Sequence, residues 1–161
     1  MDIELGLFKV LSYHPETGLL FWTADASKAV KNKPAGTIHP TGYINVMYKG
    51  KYYKAHRLAW LLTYRAYPKN MIDHINGIRS DNRIENLRDV TNTINQHNQK
   101  TAHTNSKSGL IGASWNVKNK AWKSQIKHQG NVIYLGLHET AKLAHEAYLI
   151  AKRKIHIGCT I

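Results

Sequence analysis

The stretch Ile72-Asp-His-Ile-Asn-Gly77, followed by Asp81-Asn-Arg-Ile-Glu-Asn-Leu-Arg88, decides how the middle of this chain folds. Ile72 leads into a polar loop in which Asp73 and His74 stand side by side. Histidine acts as a general base near neutral pH because its unperturbed pKa is about 6.5. Carboxylate and amide oxygens are hard ligands that suit Mg²⁺ or Mn²⁺. Phosphodiester hydrolysis needs both a base and a cation, so Asp73 and His74 together predict that chemistry.

This segment resembles the HNH nucleases, whose active site is a ββα-metal fold, and it most resembles the phage and intron-encoded homing endonucleases. The resemblance implies that Asp73 binds a divalent metal, Mg²⁺ or Mn²⁺, and that His74 is the general base. It implies that Asn86 holds the loop and orients this base. In this branch the last residue of the motif is an Asn that ligates the metal, and Asn95 matches it. The matching residues are His56-Arg-Leu-Ala-Trp60, Pro68, Ile72–Gly77, Asp81–Arg88, Thr91 and Asn95.

Simpler interpretations of the same residues remain open. Asp-His-Ile-Asn-Gly is also a composition typical of an ordinary turn, and Asn86 and Asn95 could be caps. That interpretation leaves the Asp81–Arg88 stretch unexplained. An EF-hand is disfavoured because Ile75 occupies a position that needs an oxygen ligand. His97 and His103 lack the paired spacing of a zinc site, and we expect both to face solvent.

Five basic residues around the motif are candidate DNA contacts. His56 matches a motif position, where it could contact phosphate, orient a ligand or pack structurally. Four arginines are candidate phosphate contacts or, equally, solvated surface charges: Arg57, Arg79, Arg83 and Arg88.

Residues 109–161 predict three strands followed by a helix. Ile111–Val117 and Ala121–Lys127 alternate as strands do, a third strand covers Val132–Leu135, and Thr140 caps a helix through about Lys154. Alternation places Trp115 and Trp122 in the core. The other face of the sheet is largely polar and is predicted to reach phosphates and base edges. Its candidate DNA-binding residues are Ser114, Asn116, Lys118, Lys123, Gln125, Lys127 and Tyr134.

This C-terminal part resembles the Apetala-type DNA-binding domain of plant ethylene-response factors. The resemblance is carried by Ser108–Gly112, Trp122–Ile126, Tyr134–Thr140 and Ala144–Tyr148. It implies three antiparallel strands packed on one helix, with the open sheet face in the major groove. Ile111, Ser114 and Val132 stand where plant members place base-reading arginines, so the plant site specificity does not carry over.

The predicted fold class is α+β. N-terminal β-hairpins at residues 8–22 and 43–55 precede the ββα-metal unit, and a three-stranded antiparallel sheet packed on one helix follows it. The predicted domains are residues 1–100, a linker at 101–108, and residues 109–161. Residues 1–42 match neither family and their role is open, although we expect the N-terminal hairpins to frame the catalytic unit and to touch DNA.

The composition indicates a polyanionic partner. The 161 residues hold 23 Lys and Arg against 10 Asp and Glu, a net charge of +13. Nucleic acid is the first candidate and an acidic membrane surface the second. One cysteine excludes an internal disulfide framework. No apolar run approaches the roughly 20 residues of a membrane span, so we expect no membrane association and a cytoplasmic protein. The resemblance to phage and intron-encoded nucleases implies a bacterial or phage-infected cell.

The leading hypothesis is a metal-dependent DNA endonuclease that nicks double-stranded DNA or cuts both strands, as a monomer or homodimer. The alternative is a non-catalytic DNA-binding regulator built on a relic HNH scaffold. A third, RNA binding by stacking on Trp115 and Trp122, is disfavoured because alternation buries both rings.

Overall fold

A computed structural model describes residues 3–26 and 30–160, and the chain divides into two compact units, Met1–Thr91 and Asn92–Ile161. The predicted α+β class is confirmed, since both units combine small antiparallel sheets with helices. The division falls before residue 92, whereas the predicted boundary is a linker at 101–108, and the predicted domains stay a prediction. No helix among the described residues combines the length and apolarity needed to cross a bilayer.

The first unit begins with a helix, α1 (Ile3–Val10), and the hairpin β1 (Leu11–His14) and β2 (Leu19–Trp22). The predicted hairpin is confirmed with Leu11 opposite Trp22. Its expected start at Phe8 is wrong, because that residue lies in α1. Leu7 of α1 and Leu11 of β1 are both buried in the same core, so the helix and the hairpin pack together.

The second hairpin lies in a three-stranded sheet of β3 (Thr37–Ile38), β4 (Ile44–Tyr48) and β5 (Lys51–Lys54). Its turn residues, Lys49 and Gly50, both have positive φ, as a tight two-residue turn requires. Helix α2 (Ala55–Tyr64) follows directly. It ends at Arg65, whose φ of 56° is left-handed and whose N–H donates to the Leu61 carbonyl.

Helix α2 lies between two groups of buried apolar residues. Leu58 and Leu61 pack with the N-terminal hairpin, and Ala59 packs with Ile72 and Leu87. These last two residues belong to a third hairpin, β6 (Met71–His74) and β7 (Leu87–Val90), with a 3₁₀ turn at Ile84–Asn86 between them. Burial of an Ile or Leu side chain contributes about 1.5–3 kcal/mol, so Ile72 and Leu87 hold this hairpin against α2.

The second unit starts with α3 (Asn92–His97). A meander follows, made of β8 (Ala113–Asn116), β9 (Ala121–His128) and β10 (Asn131–His138), in the order β10-β9-β8. Helix α4 (Ala141–Ile155) packs on all three strands, and the Leu143 N–H donates to the Thr140 hydroxyl that caps it. The predicted sheet packed on one helix, with this cap, is confirmed.

The predicted faces of this sheet are confirmed for β9, and on β8 they hold for Ala113 and Ser114 but not for Trp115. On β9, Ser124 and Ile126 are buried while Gln125 and Lys127 are exposed. On β8, Trp115 is 43% exposed, against the prediction that it lies in the core. The reason is that β8 is a four-residue edge strand, so Trp115 contacts the ring of Trp122 at its side, with centroids 5.3 Å apart. The argument that burial of Trp115 prevents base stacking on its ring is therefore wrong.

One further expectation in this unit is wrong. His97 does not face solvent, because its ring is half-buried and stacks on His156 with centroids 3.9 Å apart. His103 is exposed, as expected.

Candidate active site

The Asp-His pair ends strand β6 and faces β7. In the antiparallel register Asp73 lies opposite Arg88, and His74 lies opposite Leu87. The Arg88 Nε and Nη2 atoms donate to Asp73 Oδ2 at 2.9 and 2.7 Å. Asp73 is only 6% exposed, so this ion pair offsets the cost of burying its carboxylate.

Asn86 closes the loop that follows the pair. Its Oδ1 accepts from the Asn76 N–H at 2.9 Å, and its Nδ2 donates to the Asp81 carbonyl at 2.8 Å. Its own carbonyl accepts from the Ile75 N–H. These three bonds tie both ends of the loop to one residue. Asn86 thus occupies the position from which the resemblance has it hold the loop, and its orienting role stays a prediction.

The side chain that contacts the His74 ring is Asn82. Its Oδ1 lies 3.2 Å from His74 Nε2, and both residues are buried. The Asn82 main chain is held in turn, since the Tyr13 hydroxyl donates to its carbonyl at 2.7 Å. Burial raises the pKa of Tyr13 to about 12, which keeps this hydroxyl protonated as a donor. Asn82 stands in the quoted motif, but a contact between side chains eight residues apart in a loop has no sequence signature.

The pKa of His74 is lowered from its ordinary value, chiefly because burial disfavours the imidazolium. The hydrogen bond to Asn82 and the charges of Asp73 and Asp81 act in the opposite direction. The net result is an imidazole that is neutral at neutral pH. A neutral imidazole has a nitrogen lone pair that can accept a proton, which is what a general base requires.

His56 lies directly against this histidine. The two ring centroids are 5.2 Å apart, and His56 Nδ1 is buried with no hydrogen-bond partner among residues 3–26 and 30–160. Burial first, then the charges of His74, Arg57 and Lys54, lower the pKa of His56 to about 3. His56 is therefore a neutral, buried neighbour of His74. Its contact with DNA stays a prediction.

A cationic and aromatic group borders the two histidines, and of its members the sequence predicted only Arg79 as a DNA contact. The Lys54 ammonium and the Arg79 guanidinium lie 5.0 and 5.1 Å from the centroid of the Tyr43 ring. That ring lies 6.0 Å from the His74 ring. Arg79 Nη1 also donates to the Thr41 carbonyl at 2.9 Å. The sequence signal that could have pointed to Lys54 is its position, two residues before His56 of the motif.

The other predicted arginines of the first unit make bonds within the chain. Arg57 donates to the Asn70 carbonyl, and Arg83 pairs with Asp81 at 2.8 Å and with Glu85 at 3.0 Å. The bonds from Arg83 lower the pKa of Asp81 to about 2. Arg83 remains about two-fifths exposed, so it is still accessible to a DNA phosphate.

The predicted residues of the second unit lie in or beside its sheet. Gln125, Lys127 and Tyr134 are exposed, and Lys123 is half-buried. Ser114 is exposed on β8, Asn116 accepts from the Asn119 N–H in the turn after it, and Lys118 is exposed in that turn. A cleft of about 470 Å³ in this unit is lined by Ser114, Gln125 and Lys127 among other residues. Asn95 is half-buried on α3, and its metal-binding role stays a prediction.

The donor chemistry of Asp73 fits a hard divalent cation. A buried carboxylate beside an imidazole provides one oxygen ligand, and the part of the chain that the structure describes holds no group of three or more His, Cys, Asp or Glu arranged around a metal. Mg²⁺ needs few protein ligands, because it keeps several waters and binds one or two carboxylates together with substrate phosphates. The residues present therefore fit a metal that is completed by DNA and water.

Comparisons with known proteins identify the same segment. Residues 53–97 match the family model described as HNH endonuclease. The chain is 33% identical to "Protein 3.8" of Escherichia phage T7 over 84 residues, which are 50% of this chain and 69% of that protein. No solved structure matches. The matched segment contains Lys54, His56, Asp73, His74 and Asn82, and it excludes the hairpin that carries Tyr13.

Proposed function

This chain belongs to the family of the phage T7 Protein 3.8 and carries an HNH endonuclease domain, and from that premise we propose that it is a metal-dependent DNA endonuclease. An HNH endonuclease domain implies a DNA substrate. The observation that carries the finer proposal is the end of strand β6, where a buried carboxylate stands next to a buried, neutral histidine. These are the two groups that phosphodiester hydrolysis needs.

His74 serves as the general base in this proposal. The water proton passes to its imidazole, the water oxygen forms a bond to phosphorus, and the bond from phosphorus to the leaving 3′ oxygen breaks in line. The leaving oxygen takes a proton from solvent. Asp73, and Asn95 by resemblance, would hold the metal. A divalent cation supplies positive charge against the phosphate and the leaving oxygen when it is bound.

Lys54 and Arg79 have the role of holding the DNA strand at this site. Both cations lie over Tyr43, whose ring is next to the His74 ring, so they present positive charge beside the base. Phosphate neutralisation by such residues supplies most of the affinity for DNA and aligns the strand. His56, Arg57, Arg83 and Arg88 remain further candidates for this role.

The second unit is proposed as an additional DNA-binding module of the Apetala type. Its support is the three-stranded sheet on one helix, with Lys127 and Gln125 exposed on β9. Lys127→Ala should weaken DNA binding and reduce the slope of log affinity against log salt by about 0.9. Lys142→Ala, an exposed lysine of α4, serves as the matched control. Equal effects of both substitutions would remove the sheet face from the proposal.

Three finer points belong to the same proposal. The enzyme is of the homing-endonuclease type, with Mg²⁺ or Mn²⁺ as its metal. It acts in the cytoplasm of a phage-infected bacterial cell. A single site cuts one strand at a time, so a monomer nicks and a homodimer on DNA cuts both strands.

The test is conversion of supercoiled plasmid to nicked or linear form with Mg²⁺, Mn²⁺ or EDTA. Wild type is compared with His74→Ala and with His39→Ala, which removes an exposed histidine in the same unit. The proposal expects metal-dependent cutting by wild type and His39→Ala and background cutting by His74→Ala. Equal background in all three, on phage DNA as well as plasmid, would favour the alternative of a non-catalytic DNA-binding regulator.

A further inference from the structure

The hairpin β1–β2 touches the loop of the candidate site at three points. The Tyr13 hydroxyl donates to the Asn82 carbonyl at 2.7 Å, and the Ile84 N–H donates to the Pro15 carbonyl at 3.1 Å. The third point is Gly18, where a Cβ atom would lie 2.5 Å from the Arg83 nitrogen and 2.6 Å from the Asn82 carbonyl carbon. The hairpin therefore fixes the main chain of residues 82–84.

Asn82 connects this fixed segment to the base. It is 1% exposed, and its Oδ1 faces His74 Nε2 at 3.2 Å. Its Nδ2 is buried without a hydrogen-bond partner anywhere in residues 3–26 and 30–160. A buried amide with an unmet donor is a poor choice for packing alone, because an apolar side chain would avoid that cost. An asparagine at this position therefore indicates a role for its side-chain oxygen, the atom that faces His74.

The chemical consequence concerns the tautomer of the histidine. An amide oxygen only accepts hydrogen bonds, so the His74 nitrogen that faces it carries the hydrogen. In a neutral imidazole one nitrogen is protonated and the other accepts. Nε2–H facing Asn82 therefore makes Nδ1 the nitrogen that receives a proton.

We propose that the N-terminal hairpin is a positioning element of the active site, which holds Asn82 so that its side-chain oxygen fixes His74 as the Nε2–H tautomer with Nδ1 as the proton acceptor. Tyr13, Gly18 and Asn82 are positioning residues that act through His74. The idea that this orients a catalytic base rests on the proposed function, but the tautomer itself does not. The hairpin lies outside the matched segment 53–97, so the family match assigns it no such task.

The first test reads the tautomer without any cleavage assay. The metal-free full-length protein is labelled with ¹⁵N histidine, and long-range ¹⁵N–¹H correlations of the ring are recorded at neutral pH, where each tautomer has its own pattern. Loss of one signal set in His74→Gln assigns the residue. The proposal expects Nε2–H at His74 in wild type. Observation of the Nδ1–H tautomer at His74 overturns it.

Variants then test the chain of contacts. Asn82→Leu should give a mixture of tautomers and lower kcat by about 10²- to 10⁴-fold, the usual contribution of a general base, with little change in DNA affinity. Asn82→Asp keeps an oxygen acceptor and should keep the Nε2–H pattern. Tyr13→Phe removes one bond to the main chain and should lower kcat roughly three- to tenfold. Tyr52→Phe, an exposed tyrosine on β5, should change neither readout.

The outcomes separate this proposal from the proposed function. If wild-type His74 is the Nε2–H tautomer but the protein cuts no DNA, the tautomer proposal stands and the proposed endonuclease function is contradicted. A cutting enzyme whose His74 keeps the Nε2–H tautomer in Asn82→Leu contradicts the role of Asn82 and leaves the endonuclease intact.

Discussion

Replacing Gly18 with alanine perturbs the contact between the N-terminal hairpin and the site loop at a single atom. Gly18 has a φ of +74°, and an added Cβ would meet the backbone of Asn82 and Arg83. Gly50, in the turn of the second hairpin, provides a matched control. Its φ is +75°, and nothing lies within 4 Å of its Cβ position. Both substitutions impose the same backbone strain, so they differ only in the clash.

The magnitudes follow from these positions. An L-residue in the left-handed region costs about 1 kcal/mol, which is the whole expected effect of Gly50→Ala. Non-bonded carbon atoms prefer about 3.5–4.0 Å, so a Cβ at 2.5 Å forces the backbone of residues 82–83 to move by about 1 Å. Such overpacking adds roughly 1–3 kcal/mol. We expect Gly18→Ala to lose about 2–4 kcal/mol of unfolding free energy.

The assay combines urea unfolding with cleavage kinetics. The unfolding midpoint should fall further for Gly18→Ala than for Gly50→Ala while the slope m stays the same. Under conditions where both variants are folded, a displacement of about 1 Å at Asn82 should cost Gly18→Ala about 100-fold in cleavage rate. Gly50→Ala should cut at the wild-type rate. Equal stability and equal rates for the two variants would refute the argument that the hairpin holds the loop.

Three other predictions follow from the first unit. Arg88→Gln leaves the buried Asp73 carboxylate without its guanidinium partner and should lower the unfolding free energy by about 2 kcal/mol in urea titrations; an unchanged midpoint contradicts this. The pKa of His56 falls from 6.5 to about 3 on folding, so stability is lost as pH decreases below about 6.5. Between pH 7 and about pH 5, His56→Phe should therefore lose about 2 kcal/mol less than wild type, and an equal loss in both contradicts the burial argument. Lys54→Ala should weaken DNA binding and lower the salt slope by about 0.9, whereas Lys51→Ala at an exposed position should have a smaller effect; identical slopes count against the proposed strand contact.

The hairpins were predictable because their turns have local signatures. Lys49-Gly50 joins two apolar-rich runs by two residues, and Pro15 and Gly18 interrupt the run before Leu19. Helix α1 was not predicted, because its apolar residues run directly into those of β1. A short apolar run does not separate a helix from a strand by periodicity alone.

The candidate site was predictable only in part. Asp73 and His74 are adjacent in sequence, and the loop that Asn86 closes is short enough for the motif to describe. Tyr13 and Asn82 meet across 69 positions, and Tyr43 reaches His74 from another hairpin. Such contacts depend on how α2 packs the hairpins together, which no local pattern encodes.

The prediction that Trp115 is buried was wrong for a related reason. Alternation assigns a residue to one face of a strand, but it does not say whether that face is covered. Strand β8 is short and lies at the sheet edge, so the apolar side of Trp115 remains partly open. Alternation predicts burial correctly on β9, because this central strand has a neighbouring strand on each side.

The cleavage rate of His74→Ala relative to wild type tests the central claim most directly. It is measured in a single turnover with Mg²⁺ on a phage DNA fragment, with protein in excess and saturation of binding verified by gel shift. Loss of a general base predicts a rate lower by about 10²- to 10⁴-fold at unchanged affinity for the DNA. A His74→Ala protein that binds and cuts this DNA at the wild-type rate would contradict the account.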